Sequence, residues 1–272
     1  MRKPIVLILL VLLTGCSFYG VQRRHYRSNL VDYLLPEGMP SHPRATRLQL
    51  PLKVGIAFVP CEPQPLDPQT EQRLLGIVRK AFTGRDWVGP IQVIPSSYLE
   101  PRGGYDNLEQ VARLMDVDVV ALVSVDQIQY SDPTMLSILY VSIIGEYLLP
   151  GDRNDTRTLI DVAVVDVHSR SFLLRAPGTS RIGGMATPVE AERKLRGKAD
   201  EGLRLAMLDL TKNLDAEVTS FKTSVASGER NDVDILTREG KSIRAGGAFD
   251  GVTALMILIV VAAAFVPMRR TR

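Results

Sequence analysis

The sequence predicts an α/β (α+β) domain: a mixed β-sheet with a βαβαβ start, a later hairpin and one long C-terminal helix, followed by a C-terminal transmembrane segment. Three observations carry this. Short β-rich runs alternate with helical periodicities over residues 53–125, an apolar stripe recurs at helical spacing from Leu195 to Val225, and residues 252–268 are apolar almost throughout. At 272 residues, 45% hydrophobic and 23% charged, the chain has room for one good-sized core plus appendages.

Residues 53–59 read as a strand ended by Pro60. Asp67 supplies an N-cap and Pro68 fits the first helical position. Leu74, Val78, Ala81 and Phe82 then form an apolar face, and Gly84 is the stop. Residues 91–94 are a short strand. Asp106, with Glu109 three residues on, has the form of a capping box opening a helix that turns Leu108, Val111, Ala112 and Met115 inward. The nearly continuous apolar run 117–125 suits a central strand covered on both faces. This order implies right-handed crossovers and a partly parallel sheet.

Residues 135–149 are apolar and fit either a buried helix or a strand pair around Gly145, while Glu146 argues against a membrane span. Residues 156–167 and 171–175 form a hairpin turning at His168, Ser169 and Arg170. Thr187, Pro188 and Glu190 compose a second capping box. The helix it opens places Leu195, Ala199, Leu203, Met207, Leu210, Leu214, Val218, Phe221 and Val225 on one face. Their spacing, about 3.7 residues per turn, is that of a straight helix packed on a sheet rather than of a left-handed coiled coil.

The two ends read as addresses. Arg2 and Lys3 precede a short apolar run from Ile5 to Leu13, the build of a secretory signal over residues 1–15. Leu13-Thr14-Gly15-Cys16 resembles the bacterial lipoprotein lipobox. The resemblance implies cleavage between Gly15 and Cys16 by the signal peptidase for lipoproteins and a lipid thioether on Cys16, so that membrane lipid is a partner. An ordinary signal peptide with a chance cysteine is the competing reading; the position and the length of the apolar run favour lipidation. Ser17 is not the aspartate that, in this resemblance, retains lipoproteins at the inner membrane, which favours the outer one. Residues 16–50 read as a tether, with Arg23, Arg24, His25 and Arg27 followed by Pro36, Gly38, Pro40 and Pro43 and no periodicity. The basic cluster either touches anionic headgroups or is simply solvated.

At the other end, residues 252–268 span roughly 25 Å as a helix. Arg269, Arg270 and Arg272 should remain cytoplasmic. Gly246, Gly247 and Gly251 each weaken a helix by about 1 kcal/mol relative to alanine. Residues 246–272 resemble the GlyGly-CTERM sorting signal, whose partner is the rhomboid-family sorting protease rhombosortase, and the resemblance implies processing at Gly246 and Gly247. Phe249 and Asp250 stand where small residues are usual. With the lipobox, the whole chain resembles the rhombotarget lipoprotein family, a likeness that extends to residues 151–156 and 172–178.

The divisions expected are therefore a signal peptide (1–15), tether (16–50), α/β domain (51–186), long helix packed on it (187–227), linker (228–245) and sorting signal (246–272). Removing both addresses leaves 28 basic and 29 acidic residues in 16–246, near neutrality, which gives no electrostatic reason to expect nucleic acid. With Cys16 lipidated, Cys61 has no disulfide partner. Cys61 is the one candidate nucleophile, with His168 and one of Asp126, Asp161 or Asp166 as candidate helpers, but nothing in the spacing joins them. Three scattered histidines make no metal site, and no phosphate loop or nucleophile elbow is present, so no metal and no cofactor are expected. Asp152, Asn154 and Asp155 resemble part of a calcium loop but lack its glycine and terminal glutamate, which leaves a solvated turn. The expectation is a non-catalytic, lipid-anchored envelope protein, cut at its tail and sorted to the outer membrane or surface, with an envelope protein or polymer as partner. The alternatives are an envelope enzyme using Cys61 and a structural lipoprotein doubly anchored in the inner membrane.

Overall fold

The apolar run at 117–125 becomes the axis of a six-stranded sheet. The computed structural model describes residues 22–38, 46–61, 65–133, 152–186 and 188–237. In chain order the elements are β1 (Gln22–Arg27), α1 (Leu30–Leu34), β2 (Thr46–Leu50), β3 (Leu52–Phe58), α2 (Pro68–Phe82), β4 (Val88–Val93), a 3-10 turn (Ser96–Tyr98), α3 (Gly104–Leu114), β5 (Val119–Pro133), β6 (Asp152–Asp166), β7 (Ser171–Ala186), α4 (Pro188–Ala226) and β8 (Val233–Thr237). The sheet order is β4-β3-β5-β6-β7, with β1 also paired to β5. Strands β3 and β4, and β3 and β5, pair in parallel, whereas β6 and β7 return antiparallel. The α/β class, the mixed sheet and the long C-terminal helix are all present.

Local chemistry explains most boundaries. The Asp67 side chain accepts from Thr70 N at 3.0 Å, Pro68 opens α2, and Gly84 follows it at φ +84°. At the β6–β7 turn, the Asp166 carboxylate accepts from the backbone N–H groups of His168 and Ser169 at 3.3 and 3.2 Å. The start of α3 differs from expectation. Its N-cap is Gly103 with no side-chain cap, and Asp106 lies inside the first turn, where its carboxylate accepts from Arg170 instead. A carboxylate with a guanidinium across the interface makes the stronger, charge-assisted bond there. Thr187, residues 135–149, 1–15 and 246–272 lie outside the described residues. Among those described, no helix is long and apolar enough to cross a membrane.

Two layers of helix cover the sheet. Helices α2 and α4 bury Leu74, Leu75, Val78, Leu203, Met207, Leu210 and Leu214 against Phe58, Val123, Ile160 and Val162 on one face. On the other face α3 and α1 bury Tyr105, Leu108, Tyr33 and Leu34 against Val120, Leu122 and Val165. Helix α4 comes unusually close. A Cβ on Gly178 of β7 would sit 2.2 Å from Ala206 O, and one on Gly202 of α4 would sit 2.8 Å from Thr158 Oγ1. The outer edge of β7 is closed by side chains. Asp209 accepts from Thr179 N at 3.0 Å, Asn213 donates to Pro177 O at 2.8 Å and Arg230 donates to Leu173 O at 3.3 Å. Such caps occupy the groups through which another strand would pair.

The expected tether and linker need correction. Residues 22–27 of the proposed 16–50 tether form β1, in register with β5 from Gln22↔Ser131 to Arg27↔Asp126. Residues 46–50 form β2, which pairs in parallel with β8, so part of the proposed 228–245 linker is also folded. The folded unit therefore runs past both ends of the 51–186 division. Residues 46–50 do alternate, with Thr46 and Leu48 buried between exposed Arg47 and Gln49, but over a stretch too short to stand out, whereas residues 22–27 carry no apolar alternation and are held by backbone pairing to β5.

Candidate functional site

Parallel strands present their carboxyl ends, together with helix N-termini, as the usual place for a site in such sheets. Here that end holds Cys61, Ser28, Glu71 and Ser96. Cys61 follows β3, is 8% exposed, and donates weakly to Val59 O at 3.8 Å. Burial pushes its thiol pKa up; a hydrogen bond from Ser28 opposes the shift and the Glu71 charge adds to it. The Ser28 hydroxyl is itself spoken for, accepting from Val125 N at 2.8 Å. Glu71, buried in the first turn of α2, accepts from Ser96 Oγ at 2.5 Å and from Ser96 N at 3.4 Å. The arrangement holds a protonated thiol beside an occupied carboxylate. Thiolate chemistry needs the reverse, a neighbour that lowers the pKa.

The other sequence candidates are not brought to Cys61. The His168 ring lies 3.9 Å from Asp118 Oδ1, beyond the start of β5 at the β6–β7 turn. Asp126 pairs with His25 at 2.8 Å, Asp161 takes both oxygens to Arg175 Nε at 2.7 and 2.8 Å, and Asp166 builds the turn. Burial pushes the Asp161 carboxyl pKa up, and Arg175 opposes it. Asp152, Asn154 and Asp155 lie within β6 rather than in a solvated turn, and Asp155 bonds Arg181 at 2.9 Å. No group of three or more metal-ligating side chains occurs among the described residues.

Among the described residues, two open surfaces stand out. A groove of about 680 Å³ between α2 and α4 has Ile77, Ala81 and Leu208 as its apolar lining and Lys80, Arg85 and Lys212 at its rim. On the opposite face of the sheet, beyond the cover of α3, a shallow depression of about 380 Å³ is lined by Asp126, Ile128, Arg157, Leu159, Thr179 and Arg181. Both can offer contact surface, and neither assembles acid–base partners around a nucleophile. The pairings His25–Asp126 and Glu71–Ser96 were absent from the sequence reading. Partners 101 and 25 residues apart leave no spacing signal to find.

No family model matches the chain, and no curated protein matches it. Among solved structures it is loosely similar to a hemagglutinin homolog from Helicobacter pylori, with 12% identity, a TM-score of 0.39 and coverage of 72% of this chain and 99% of that one. A PelC dodecamer from Paraburkholderia phytofirmans gives 12%, 0.29, 70% and 98% in the same order. Lipoprotein GNA1162 from Neisseria meningitidis gives 12%, 0.27, 54% and 96%. Overlaps this loose carry no argument about role.

Proposed function

We propose that the chain is a lipid-anchored cell-envelope protein whose folded domain binds a partner, protein or envelope polymer, without catalysis. In this reading Cys16 carries the lipid. A rhomboid-family protease cuts near Gly246 and Gly247, and the trimmed protein is sorted to the outer membrane or surface. The observation that carries the reading is the position of both addresses relative to the fold. The first described strand begins at Gln22 and the last ends at Thr237, so Cys16 and the Gly246-Gly247 pair fall on chain to either side of the paired strands. A modification at either address therefore interrupts no described β-ladder.

The intact mass of the mature protein tests this. The expected mass includes acyl chains on Cys16 and lacks residues 252–268. Retention of those residues removes the processing step and leaves a doubly anchored protein; absence of the acyl chains removes the anchor. The non-catalytic part is tested by thiol labelling. Cys61 of the folded protein should react far more slowly than in denaturant at neutral pH, because it is buried and its thiol is held protonated. Rapid labelling of the native protein would revive the enzyme reading.

A further inference from the structure

Helices α2 and α4 cover the same face of the sheet, and the groove between them combines two features. Its floor is aliphatic. Ile77 and Ala81 come from α2, one turn apart, and Leu208 comes from α4. Leu205, three residues before Leu208, stands on the same stripe of α4, and the two leucines are 37% and 43% exposed. The second feature is unmatched positive charge. Among the charged groups that line the groove, Arg85 and Asp215 pair at 2.8 Å and cancel. Beside the groove, Asp200 is paired with Arg73 and Glu201 with Arg204. Lys80 on α2 and Lys212 on α4 are exposed and have no carboxylate partner among the described residues. Two free cations thus flank an apolar strip, one from each helix.

We propose that the α2–α4 face is a docking surface for an anionic lipid bilayer. The aliphatic side chains enter the headgroup layer, and Lys80 and Lys212 meet lipid phosphates. Composition favours lipid over a protein partner. Protein interfaces are anchored by aromatic rings and arginines and are poor in lysine. In this groove the aromatic ring and the arginine are turned to each other. The Arg85 guanidinium lies over the Phe82 ring at 5.1 Å while it pairs with Asp215, so neither is offered outward. The Thr211 hydroxyl is also occupied, donating to Met207 O at 2.7 Å. What remains on offer is aliphatic side chain flanked by lysine, the pattern of a helix that lies at a membrane interface. Each lysine stem covers apolar surface while its ammonium reaches the phosphates. Four aliphatic side chains and two lysines make a weak surface on their own, one that suits a domain held near a membrane by other means. The proposal adds to the reading of Cys16 as an anchor and does not depend on it.

The test is lysine acetylation of the full chain, read residue by residue by mass spectrometry. The chain is mixed with vesicles of phosphatidylcholine alone or of phosphatidylcholine with phosphatidylglycerol. Lys80 and Lys212 should react several-fold more slowly with the anionic vesicles, and added salt should shrink the difference. Lys53, paired with Asp116 at the end of α3, is the internal control and should not change. Lys212→Glu should cut the protection of Lys80 several-fold, and Leu208→Ser should weaken the protection of both lysines; both substitutions fall at exposed positions and leave the core intact. Equal reactivity in the two kinds of vesicle overturns the proposal. So does protection in detergent solution that grows with protein concentration, which would put a second copy in the groove. Protection in the native membrane but not in anionic vesicles overturns it in favour of a protein partner. Flotation keeps this apart from the anchor. A chain that floats with anionic vesicles only, with both lysines protected, defeats the Cys16 anchor and supports the face. A chain that floats with both kinds but shows equal lysine reactivity keeps the anchor and defeats the face.

Discussion

The two halves of the sheet are held by different forces. Around β3 and the first part of β5, both faces are sealed by apolar side chains, with Val120, Leu122 and Val123 fully buried. Past Asp126 one face is open, and α4 rests on the other through polar groups. Gln127 donates to Ala199 O and Gln129 to Leu195 O, each at 2.9 Å, and Ser180 Oγ donates to Gly202 O at 2.7 Å. Residues 195, 199 and 202 lie on one stripe of the helix, so the sheet is bonded to a row of helix carbonyls that already accept intrahelical bonds. Thr156 Oγ1 is buried in this seam with no hydrogen-bond partner among the described residues. Apolar contact tolerates small slips. Hydrogen bonds to successive carbonyls do not, so the far half contributes register more than it contributes energy.

The largest expected effect lies where the halves meet. Gly178→Val would drive a Cβ into Ala206 O and into Leu210, backbone and core at once. Helix α4 would have to lift, at a cost of about 4 kcal/mol or more. Gly183→Val in the same strand meets nothing within 4 Å and should be nearly neutral. Urea midpoints of the two variants decide the point, and similar values would mean that α4 is not seated as closely as the glycine contact requires.

Next come the two kinds of contact made by one helix. Leu210→Ala, in the apolar half, should cost about 2–5 kcal/mol through lost burial and the cavity left behind. Gln129→Ala, in the polar half, should cost only about 1–2 kcal/mol, because Leu195 O keeps its helical partner. Hydrogen exchange sharpens the contrast. The glutamine variant should loosen amides near the start of α4 selectively, and the leucine variant should loosen the whole molecule. If both act globally, the halves are one cooperative unit and the distinction fails.

This contrast also separates what could be read in the sequence from what could not. The apolar stripe of α4 announced its packing on the sheet because 3.6-residue periodicity survives in any sequence that buries one helix face. Asp67, Pro68 and Gly84 bracketed α2 for equally local reasons. Nothing local marks Gln127 and Gln129 as buried. The strand read from the sequence ends at 125, because polar residues alternating with Asp126 and Ile128 carry no apolar signal, whereas β5 runs on to Pro133 with Gln127 and Gln129 buried under α4. His25 and its neighbours read as a tether, since the strand that receives them is about a hundred residues further on. Cys61 could be named as the one candidate nucleophile, but its protonated state depends on Ser28, Glu71 and burial, which only the fold brings together.

The smallest effect belongs to the open face and depends on pH. Burial raises the Asp161 carboxyl pKa, and Arg175 works against that rise. A carboxyl whose folded pKa is raised binds its proton more tightly in the folded state. Its stabilising contribution is therefore present below the ordinary carboxylate range and is lost as pH rises through that range to the folded value. Arg175→Ala removes the opposing charge and should raise the Asp161 pKa further. The cost then appears at neutral pH, where Asp161 must ionise without its partner, and fades in acid, where it is protonated in either protein. Arg175 is well exposed, so the difference should be at most about 1 kcal/mol. Paired urea midpoints at neutral and acid pH measure it. A difference that persists in acid would show that Arg175 acts through the packing of its aliphatic stem on the sheet, not through its charge.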